Sequence, residues 1–305
     1  MNIINQHALS ISFSALEEMS LFDCLRYVNP KLSRNKIKEH YSKIEQARVV
    51  GRNQSLSIPL DLANHHLVFP LYEGPTIEIL YEDKNFLVIH KPSGVHGHPF
   101  LYSERETVIN FVRQFRAPLH LINEPSFERG LLYRLDRETS GVLFYVKDQY
   151  LLDELREQFE ETAKEKIYLA LVEGECKISG SFKHLFTSSG LKGLRMKVFN
   201  HADRNKMNSK DPVFEGGLEV EPLKFNPQMN LTLVKVKLET GLRHQIRAQL
   251  AHLGFPLWGD SLYGSKRDEF AKGRKFYLHA LQYTIKHRDI SLKIECLPVD
   301  FPFLA

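Results

Sequence analysis

The pattern of apolar and polar positions changes character near residue 75. Between residues 15 and 43, apolar residues recur at helical spacing in two short runs, and Ser33 is placed to cap the second run. Residues 48–52 are typical of a strand that enters a turn. We therefore expect a small N-terminal domain over residues 1–75 and a larger domain over residues 76–305.

The larger domain carries both strand and helix signals. Residues 77–81 and 86–90 flank a polar turn and predict a hairpin. Further strands are predicted at residues 131–133, 142–146, 166–172 and 231–238 and on both sides of residues 287–289. Helices are predicted at residues 149–163 and 242–253, the second ending at Gly254. Because strands and helices do not alternate regularly, the pattern predicts an α+β fold with a mainly antiparallel sheet.

The composition of the 305 residues is that of a soluble globular protein, with 43% hydrophobic and 26% charged residues. No apolar run approaches the ~20 residues of a membrane-spanning helix, and the N-terminus does not have the pattern of a signal peptide. Cys24, Cys176 and Cys296 are too widely spaced to indicate a disulfide framework or a CxxC metal site. We therefore expect a cytoplasmic protein.

Positive charge is concentrated in the small domain. Residues 31–52, called here the basic block, carry seven lysines and arginines against two glutamates, a charge of +5, whereas the whole chain carries +4. Such a block predicts a polyanionic partner. A solvated helix face is the alternative interpretation. The candidate contacts are Arg34, Lys36, Lys38, Arg48 and Arg52.

Residues 130–146 place Asp136 in a tight polar loop between two apolar segments. A loop carboxylate held by a rigid sheet is well placed for catalysis, although a plain turn uses the same residue types. Ser140 does not indicate a hydrolase nucleophile, because the residues before it lack the first glycine of the G-x-S-x-G motif. Asp136 is therefore the candidate catalytic residue.

A second polar cluster lies at the start of the predicted helix 242–253. Arg243 and Arg247 share one face of this helix, one turn apart. Two cations near a helix start oppose the helix dipole, so we expect an anion beside them. A loop carboxylate and a phosphate both fit this expectation, and solvated arginines are the alternative.

Several motifs together resemble those of the RluA-type RNA pseudouridine synthases. The main ones are Arg134-Leu135-Asp136-x-x-Thr139-Ser140-Gly141, Thr240-Gly241-x-x-His244-Gln245-Ile246-Arg247 and Ala251-His252-x-Gly254-x-Pro256-x-x-Gly259-Asp260-x-x-Tyr263-Gly264. Supporting matches are Lys91-Pro92-Ser93-Gly94, Lys166-x-Tyr168-x-Ala170-x-Val172-x-Gly174 and Leu278-His279-Ala280. The matches fall in order over residues 77–297, and residues 18–70 more loosely resemble the αL, or S-four-type, RNA-binding domain.

The resemblance implies a pseudouridine synthase fold, which is a mainly antiparallel mixed sheet with flanking helices and a central cleft, together with a small N-terminal α/β RNA-binding domain. It implies that a specific uridine in RNA is converted to pseudouridine, with ribosomal RNA favoured over transfer RNA. The C1′–N bond breaks, the uracil turns over, and its C5 rejoins C1′, without a metal or another cofactor. The expected partner is RNA, not DNA or a membrane, and the protein is expected to be a monomer.

By the same resemblance, Asp136 is the essential carboxylate, acting either as the nucleophile or as the base at the ribose. Arg247 would pair with Asp136 and favour its ionised form. Tyr168, the third candidate catalytic residue, would stack on the flipped base and sit near C5, where a proton must leave. The other candidate substrate-binding residues are Arg134, Leu135, Arg243, His244, Gln245 and Leu278.

The chain departs from the family at Tyr133, where histidine is usual, and at Leu242, where arginine is usual. These departures leave open an altered substrate choice or a catalytically idle RNA-binding protein that retains the fold. His96 and His98 could hold Zn²⁺, but no third ligand has a useful spacing. An unrelated hydrolase would need a second acid, for which Glu138 is a poor candidate.

Overall fold

A computed structural model gives the fold of the chain as two compact units. One comprises Met1–Gly74 with His98–Arg129, and the other comprises Pro75–Gly97 with Gly130–Ala305. The structure describes residues 3–5, 10–15, 18–29, 32–52, 54–59, 62, 71–99, 104–116, 119, 122–123, 126, 128–189, 195–208, 211–265 and 276–302. None of the helices in these ranges is long and apolar enough to cross a membrane.

The N-terminal unit includes residues that lie beyond the range 1–75 expected from the sequence. The backbone N–H of Tyr72 donates to the side chain of Gln114 at 2.6 Å, and that of Glu73 donates to the carbonyl of Arg105 at 3.1 Å. The Arg105 guanidinium also pairs with the Glu73 carboxylate at 2.5 Å. The chain therefore returns to this unit after residue 97, whereas the sequence pattern placed all of residues 76–305 in the larger domain.

The described elements of the N-terminal unit are short. In chain order they are β1 (Ile3–Asn5), β2 (Ser10–Ser14), β3 (Met19–Ser20), α1 (Leu21–Val28), α2 (Arg34–His40), α3 (Lys43–Gln46), β4 (Val49–Val50), β5 (Ser55–Pro59) and α4 (Val108–Phe115). Strands β1, β2 and β5 form one antiparallel sheet, and β3 pairs with β4.

Serine caps determine where α1, α2 and α3 begin. Ser20, Ser33 and Ser42 each accept a hydrogen bond from the backbone N–H three residues further on. The two predicted helices are confirmed, as is the strand before Arg52. The first helix begins later than the pattern predicted, because Met19 is paired with Val50 in a strand and Ser20 is the cap.

The second unit contains a large sheet with helices. Its elements in chain order are β6 (Glu78–Glu82), β7 (Phe86–Lys91), β8 (Ser140–Val146), α5 (Gln149–Glu157), α6 (Phe159–Thr162), β9 (Ala163–Glu173), β10 (Gly180–Ser189), β11 (Arg195–Phe199), β12 (Phe214–Asn226), β13 (Leu231–Leu238), α7 (Gln245–His252), β14 (Leu278–His287) and β15 (Ile290–Glu295).

Ten of the described strands form one mixed sheet. The order is β11-β10-β12-β13-β9-β14-β8-β7-β6, with β15 paired to β14. All pairs are antiparallel except β8 with β14, which is parallel. Every residue of β8 is buried, which explains its nearly continuous apolar sequence. The predicted α+β class and mainly antiparallel sheet are confirmed.

Three predicted elements differ from those observed. Residues 131–133 are not a strand, because Leu131 forms one isolated bridge with Tyr145 before the chain turns into the loop of Asp136. The predicted helix 149–163 breaks at Gln158, which caps the end of α5, and Ala163 already belongs to β9. The predicted helix 242–253 begins only at Gln245, and Gly254 follows its end in the left-handed conformation, as expected.

The parallel pair β8–β14 depends on Gly141. This residue has φ of +113°, and a Cβ placed on it would lie 2.2 Å from the carbonyl oxygen of Ala280. Ala280 is paired with Gly141 on one side and with Tyr168 of β9 on the other. The close approach at Gly141 therefore sets how far the loop before β8 lies from Tyr168.

We expect Gly141→Ala to lower the free energy of unfolding by more than about 3 kcal/mol, because backbone overlap adds to the strain of a positive φ. Gly174→Ala is the matched control: its φ is +83°, but no atom lies within 4 Å of the added Cβ. The control should lose only about 1–2 kcal/mol. Urea unfolding followed by circular dichroism measures both values, and equal losses would contradict the close approach of β8 and β14.

Candidate active site

The loop that carries Asp136 is held in place by the segment that follows β7. The amine of Lys91 is fully buried and donates to the carbonyls of Val95 at 2.6 Å and Arg137 at 2.9 Å. The hydroxyl of Ser93 donates to the carbonyl of Glu138 at 2.7 Å. The backbone of the two residues that follow Asp136 is therefore fixed. The side chain of Asp136, 24% exposed, projects from this rigid loop.

Asp136 pairs with Arg247 of α7. The guanidinium Nη1 of Arg247 donates to Oδ2 of Asp136 at 2.8 Å. Its Nε and Nη2 donate to the two carboxylate oxygens of Asp260 at 2.6 and 3.0 Å. Asp260 is 2% exposed, so this bidentate pair is buried and fixes the direction of the guanidinium. The sequence left open whether a loop carboxylate or a phosphate lies beside Arg247; the structure places the loop carboxylate of Asp136 there, together with the carboxylate of Asp260.

Aromatic rings enclose the Arg247 guanidinium, which lies 4.3 Å from the ring centroid of Phe276 and 5.2 Å from that of Tyr263. Burial opposes its charge, but the hydrogen bonds to Asp260 and the charges of both carboxylates outweigh this effect and raise the pKa of Arg247. Arg247 is therefore a permanent cation that orients Asp136.

His244 lies on the other side of Asp136 in a left-handed conformation, with φ of +54°. Its Nε2 is 3.7 Å from Oδ1 of Asp136, and its Nδ1 is 3.0 Å from the hydroxyl of Tyr263. Burial lowers the pKa of His244, Asp136 opposes this shift, and Arg247 adds to it. His244 is therefore neutral at physiological pH and can serve as a hydrogen-bonding group beside the carboxylate.

Tyr168 lies on β9 and is 5% exposed. Its hydroxyl is hydrogen-bonded to that of Tyr283 on β14, a residue that the sequence did not single out. Burial chiefly raises the pKa of Tyr168, the hydrogen bond with Tyr283 opposes this, and the charge of Asp136 raises it further. Tyr168 is therefore a neutral phenol that lies within the electrostatic reach of Asp136.

The other candidate substrate-binding residues occupy different environments. Arg134 is exposed and Leu135 is partly buried, both in the loop of Asp136. Leu278 is buried at the start of β14. Arg243 is exposed, and its Nη2 lies 3.9 Å from the sulfur of Met196.

Gln245 makes internal hydrogen bonds in this structure. Its Oε1 accepts from the hydroxyl of Thr240 at 2.8 Å and from the N–H of Leu242 at 3.0 Å, and its Nε2 donates to the carbonyl of Gly217 at 3.0 Å. These bonds hold residues 240–244 in a turn and explain the late start of α7. The side chain thus places His244 and Arg247 against the loop of Asp136.

A cavity of about 610 Å³ adjoins this cluster between β11 and α7. Its lining includes Met196 and Tyr263, together with the cations Arg195 and Lys197. The N–H of Met196 donates to the hydroxyl of Tyr263 at 3.0 Å, and the same hydroxyl meets His244. This positively charged groove was not predicted, because β11 was not recognised as a strand.

The alternative sites find no support in the described part of the chain. No group of three His, Cys, Asp or Glu side chains there could hold a metal ion. Ser140 is buried and lies 2.9 Å from Nδ1 of His279, whose Nε2 is 2.6 Å from the carbonyl of Cys296. These contacts connect β8 and β14 with the segment after β15. Ser140 therefore has a structural role and is not placed as a nucleophile.

The basic block was predicted to bind a polyanion, and most of its described cations are exposed. These are Arg34, Lys38, Lys43, Arg48 and Arg52. Lys36 is partly buried and pairs with Glu39 at 2.8 Å. Lys31 lies outside the described residues. The guanidinium of Arg34 lies 5.8 Å from the ring centroid of Phe22.

Solved structures define the class to which the fold belongs. The human protein RNA Pseudouridylate Synthase Domain Containing 1 matches with a TM-score of 0.58 and 22% identity, over 75% of this chain and 86% of that protein. Human RNA Pseudouridylate Synthase Domain Containing 4 matches with a TM-score of 0.51 and 21% identity, over 73% of this chain and 89% of that protein. About three quarters of the chain therefore has the fold of the pseudouridylate synthases, as the sequence predicted.

Sequence comparison leads from the fold to the family. The family model described as RNA pseudouridylate synthase matches residues 85–252. Ribosomal large subunit pseudouridine synthase C of Buchnera aphidicola is 30% identical over 83% of this chain and 74% of its own length. Ribosomal large subunit pseudouridine synthase D of Borreliella burgdorferi is 29% identical over 80% of this chain and 72% of its own length. An uncharacterized RNA pseudouridine synthase of Bacillus subtilis is 30% identical over 76% of this chain and 72% of its own length.

The chain belongs to the RNA pseudouridylate synthase family and is an isomerase that acts on RNA. The predicted resemblance is confirmed. The S-four-type character of the N-terminal unit stays a prediction.

Proposed function

We propose that Asp136 is the catalytic carboxylate with which this RNA pseudouridine synthase isomerises a uridine of large-subunit ribosomal RNA. The observation that carries this assignment is the chain of contacts from Asp136 through Arg247 to the buried Asp260. An arginine fixed by one carboxylate can hold the other, more exposed carboxylate in a fixed direction. Asp136 then acts at the ribose, either as the nucleophile at C1′ or as a base.

The reaction keeps every atom of the nucleotide. The C1′–N1 bond breaks, the uracil turns, a C5–C1′ bond forms, and the proton on C5 is replaced by one on N1. Because Tyr168 and Leu278 are only 5% and 4% exposed, a base stacked inside a helix cannot reach them, and the target nucleotide has to be unpaired or flipped out. We assign Tyr168 to stacking on that base, and Leu135 and Leu278 to the apolar wall of its pocket.

Ribosomal RNA is proposed as the substrate because two relatives matched over most of their length are described as ribosomal large subunit pseudouridine synthases. Transfer RNA is the alternative. Mapping pseudouridine in total RNA from cells with and without the protein distinguishes the two. Loss of a site in large-subunit RNA supports the proposal, and loss confined to transfer RNA contradicts it.

We further propose that the N-terminal unit and the groove lined by Arg195 and Lys197 bind RNA backbone. Support comes from the exposed cations of the basic block and from the position of the groove beside Tyr263. The buried free thiols of Cys24, Cys176 and Cys296 fit a reducing compartment, and we propose a cytoplasmic monomer.

We expect the triple substitution of Lys38, Arg48 and Arg52 by alanine to weaken RNA binding and to flatten its salt dependence. Each phosphate contact on single-stranded RNA contributes about −0.7 to the slope of log affinity against log salt. Loss of three contacts should therefore change the slope by about two units. Filter binding at several salt concentrations measures the slope, and the single-turnover rate at saturating RNA should stay near the wild-type value.

The matched control replaces three exposed lysines of the second unit, Lys177, Lys286 and Lys293, by alanine. It removes the same charge from the chain and should leave the slope within about half a unit of wild type. Equal changes in both triple variants would show that the basic block acts only through net charge.

A further inference from the structure

Three tyrosines from distant parts of the chain meet beside the candidate active site. Tyr168 and Tyr283 share a hydrogen bond between their hydroxyl groups. Tyr283 and Tyr133 are stacked, with ring centroids 4.2 Å apart and planes inclined by 7°. Of the three, only Tyr168 has a proposed role in the reaction. Tyr283 contacts both of the other tyrosines and so lies at the centre of this cluster.

The ring of Tyr283 is held on two sides. Tyr133 covers one face, and its own hydroxyl donates to the carbonyl of Val142 on β8 at 2.9 Å. Tyr168 meets Tyr283 edge-to-face, with centroids 6.0 Å apart and planes inclined by 73°. Tyr283 is 2% exposed, so its hydroxyl has little freedom to turn.

The two bonded hydroxyls carry two hydrogens, and one hydrogen bond between them uses only one. Within the described residues, neither hydroxyl has another hydrogen-bonding partner. A buried O–H without an acceptor is unfavourable, because it has lost its hydrogen bond to water. The second hydrogen therefore needs an acceptor that the described chain does not provide.

The surroundings indicate which hydroxyl directs its hydrogen outside the pair. Tyr168 is the member of the pair that the proposed function places against the target base, so its hydroxyl lies on the side of the pair where the reaction occurs. Tyr283 is influenced by the other two phenols and is enclosed by them. The hydrogen of Tyr283 is therefore the one used within the pair. Burial raises the pKa of both groups, so both remain protonated at physiological pH.

We propose that Tyr283 donates its hydroxyl hydrogen to Tyr168 and thereby holds Tyr168 as a hydrogen-bond donor to an oxygen of the bound target nucleotide. This inference rests on the proposed place of Tyr168 at the flipped base. Tyr283 is a positioning residue, because it acts through the hydroxyl of Tyr168.

A double-mutant cycle tests the inference, using Tyr168→Phe, Tyr283→Phe and the double variant in the full chain. Both single variants keep their rings and lose only a hydroxyl. We expect Tyr168→Phe to lower the single-turnover rate at saturating RNA by about tenfold, the effect of one hydrogen bond. Tyr283→Phe should lower it about three- to tenfold, and the double variant should be no slower than Tyr168→Phe. RNA affinity should change less than about twofold.

Tyr145→Phe is the matched control, because Tyr145 is a buried tyrosine on the neighbouring strand β8, 1% exposed. It should keep the wild-type rate, and circular dichroism should show all variants folded. A double variant whose loss is the product of the two single losses would overturn the inference, as would a wild-type rate for Tyr283→Phe. A wild-type rate for Tyr168→Phe would overturn it too, whereas Asp136→Asn tests the proposed function separately.

Discussion

Replacement of Asp136 by asparagine is expected to abolish pseudouridine formation, with a loss of at least about 10³-fold in the single-turnover rate. The amide has nearly the same shape as the carboxylate but is neither nucleophilic nor basic. Arg247 keeps its two hydrogen bonds to Asp260, so the site should stay assembled. RNA affinity should therefore change little, and the free energy of unfolding should change by no more than about 1 kcal/mol.

The rate is measured as pseudouridine formed per enzyme at saturating RNA. Glu138→Gln is the matched control, since it makes the same chemical change two residues away in the same loop. Glu138 contributes its backbone carbonyl to the hydroxyl of Ser93, a contact that survives the substitution. Activity lost in the Asp136→Asn variant and kept in the Glu138→Gln variant supports the assignment. A wild-type rate of pseudouridine formation by the Asp136→Asn variant would refute it. If the unmodified protein binds RNA but forms no pseudouridine, the idle RNA-binding alternative is favoured.

Replacement of Arg247 by alanine should slow turnover by about 10²- to 10³-fold and should affect RNA binding much less. The reason is that its described partners are the carboxylates of Asp136 and Asp260. Asp260, 2% exposed, would lose its cation. A buried charge without its partner costs about 3–5 kcal/mol, so the free energy of unfolding should also fall.

Two further variants separate these effects. Arg247→Lys keeps the charge but cannot form the same three hydrogen bonds, so its rate should lie between those of wild type and Arg247→Ala. Arg288→Ala removes an arginine, 62% exposed, that pairs with Glu154, and it should leave rate and stability almost unchanged. Weaker RNA binding at an unchanged single-turnover rate for Arg247→Lys would instead mean that Arg247 contacts the RNA backbone.

Much of the second unit was predictable because its strands carry their pattern locally. β8 is apolar along its whole length and β13 alternates, and both were located from that pattern alone. β10, β11 and β12 were not predicted. The 13 residues of β12 include two adjacent glycines and exposed glutamates, so its burial depends on pairing with β10 and β13.

The sequence by itself determined the family, the α+β class and the candidate acid, because these depend on residue types at fixed local spacings. It also placed Arg247 on the helix face that meets an anion. Only the tertiary structure decided which anions meet it. Asp260 lies 13 residues from Arg247, and Asp136 lies 111 residues away. Tyr283 is 115 residues from Tyr168. Contacts over such separations leave no periodic trace in a sequence, since they arise where tertiary packing brings distant segments together: the start of α7 against two loops for Arg247, and the paired strands β9 and β14 for the tyrosines.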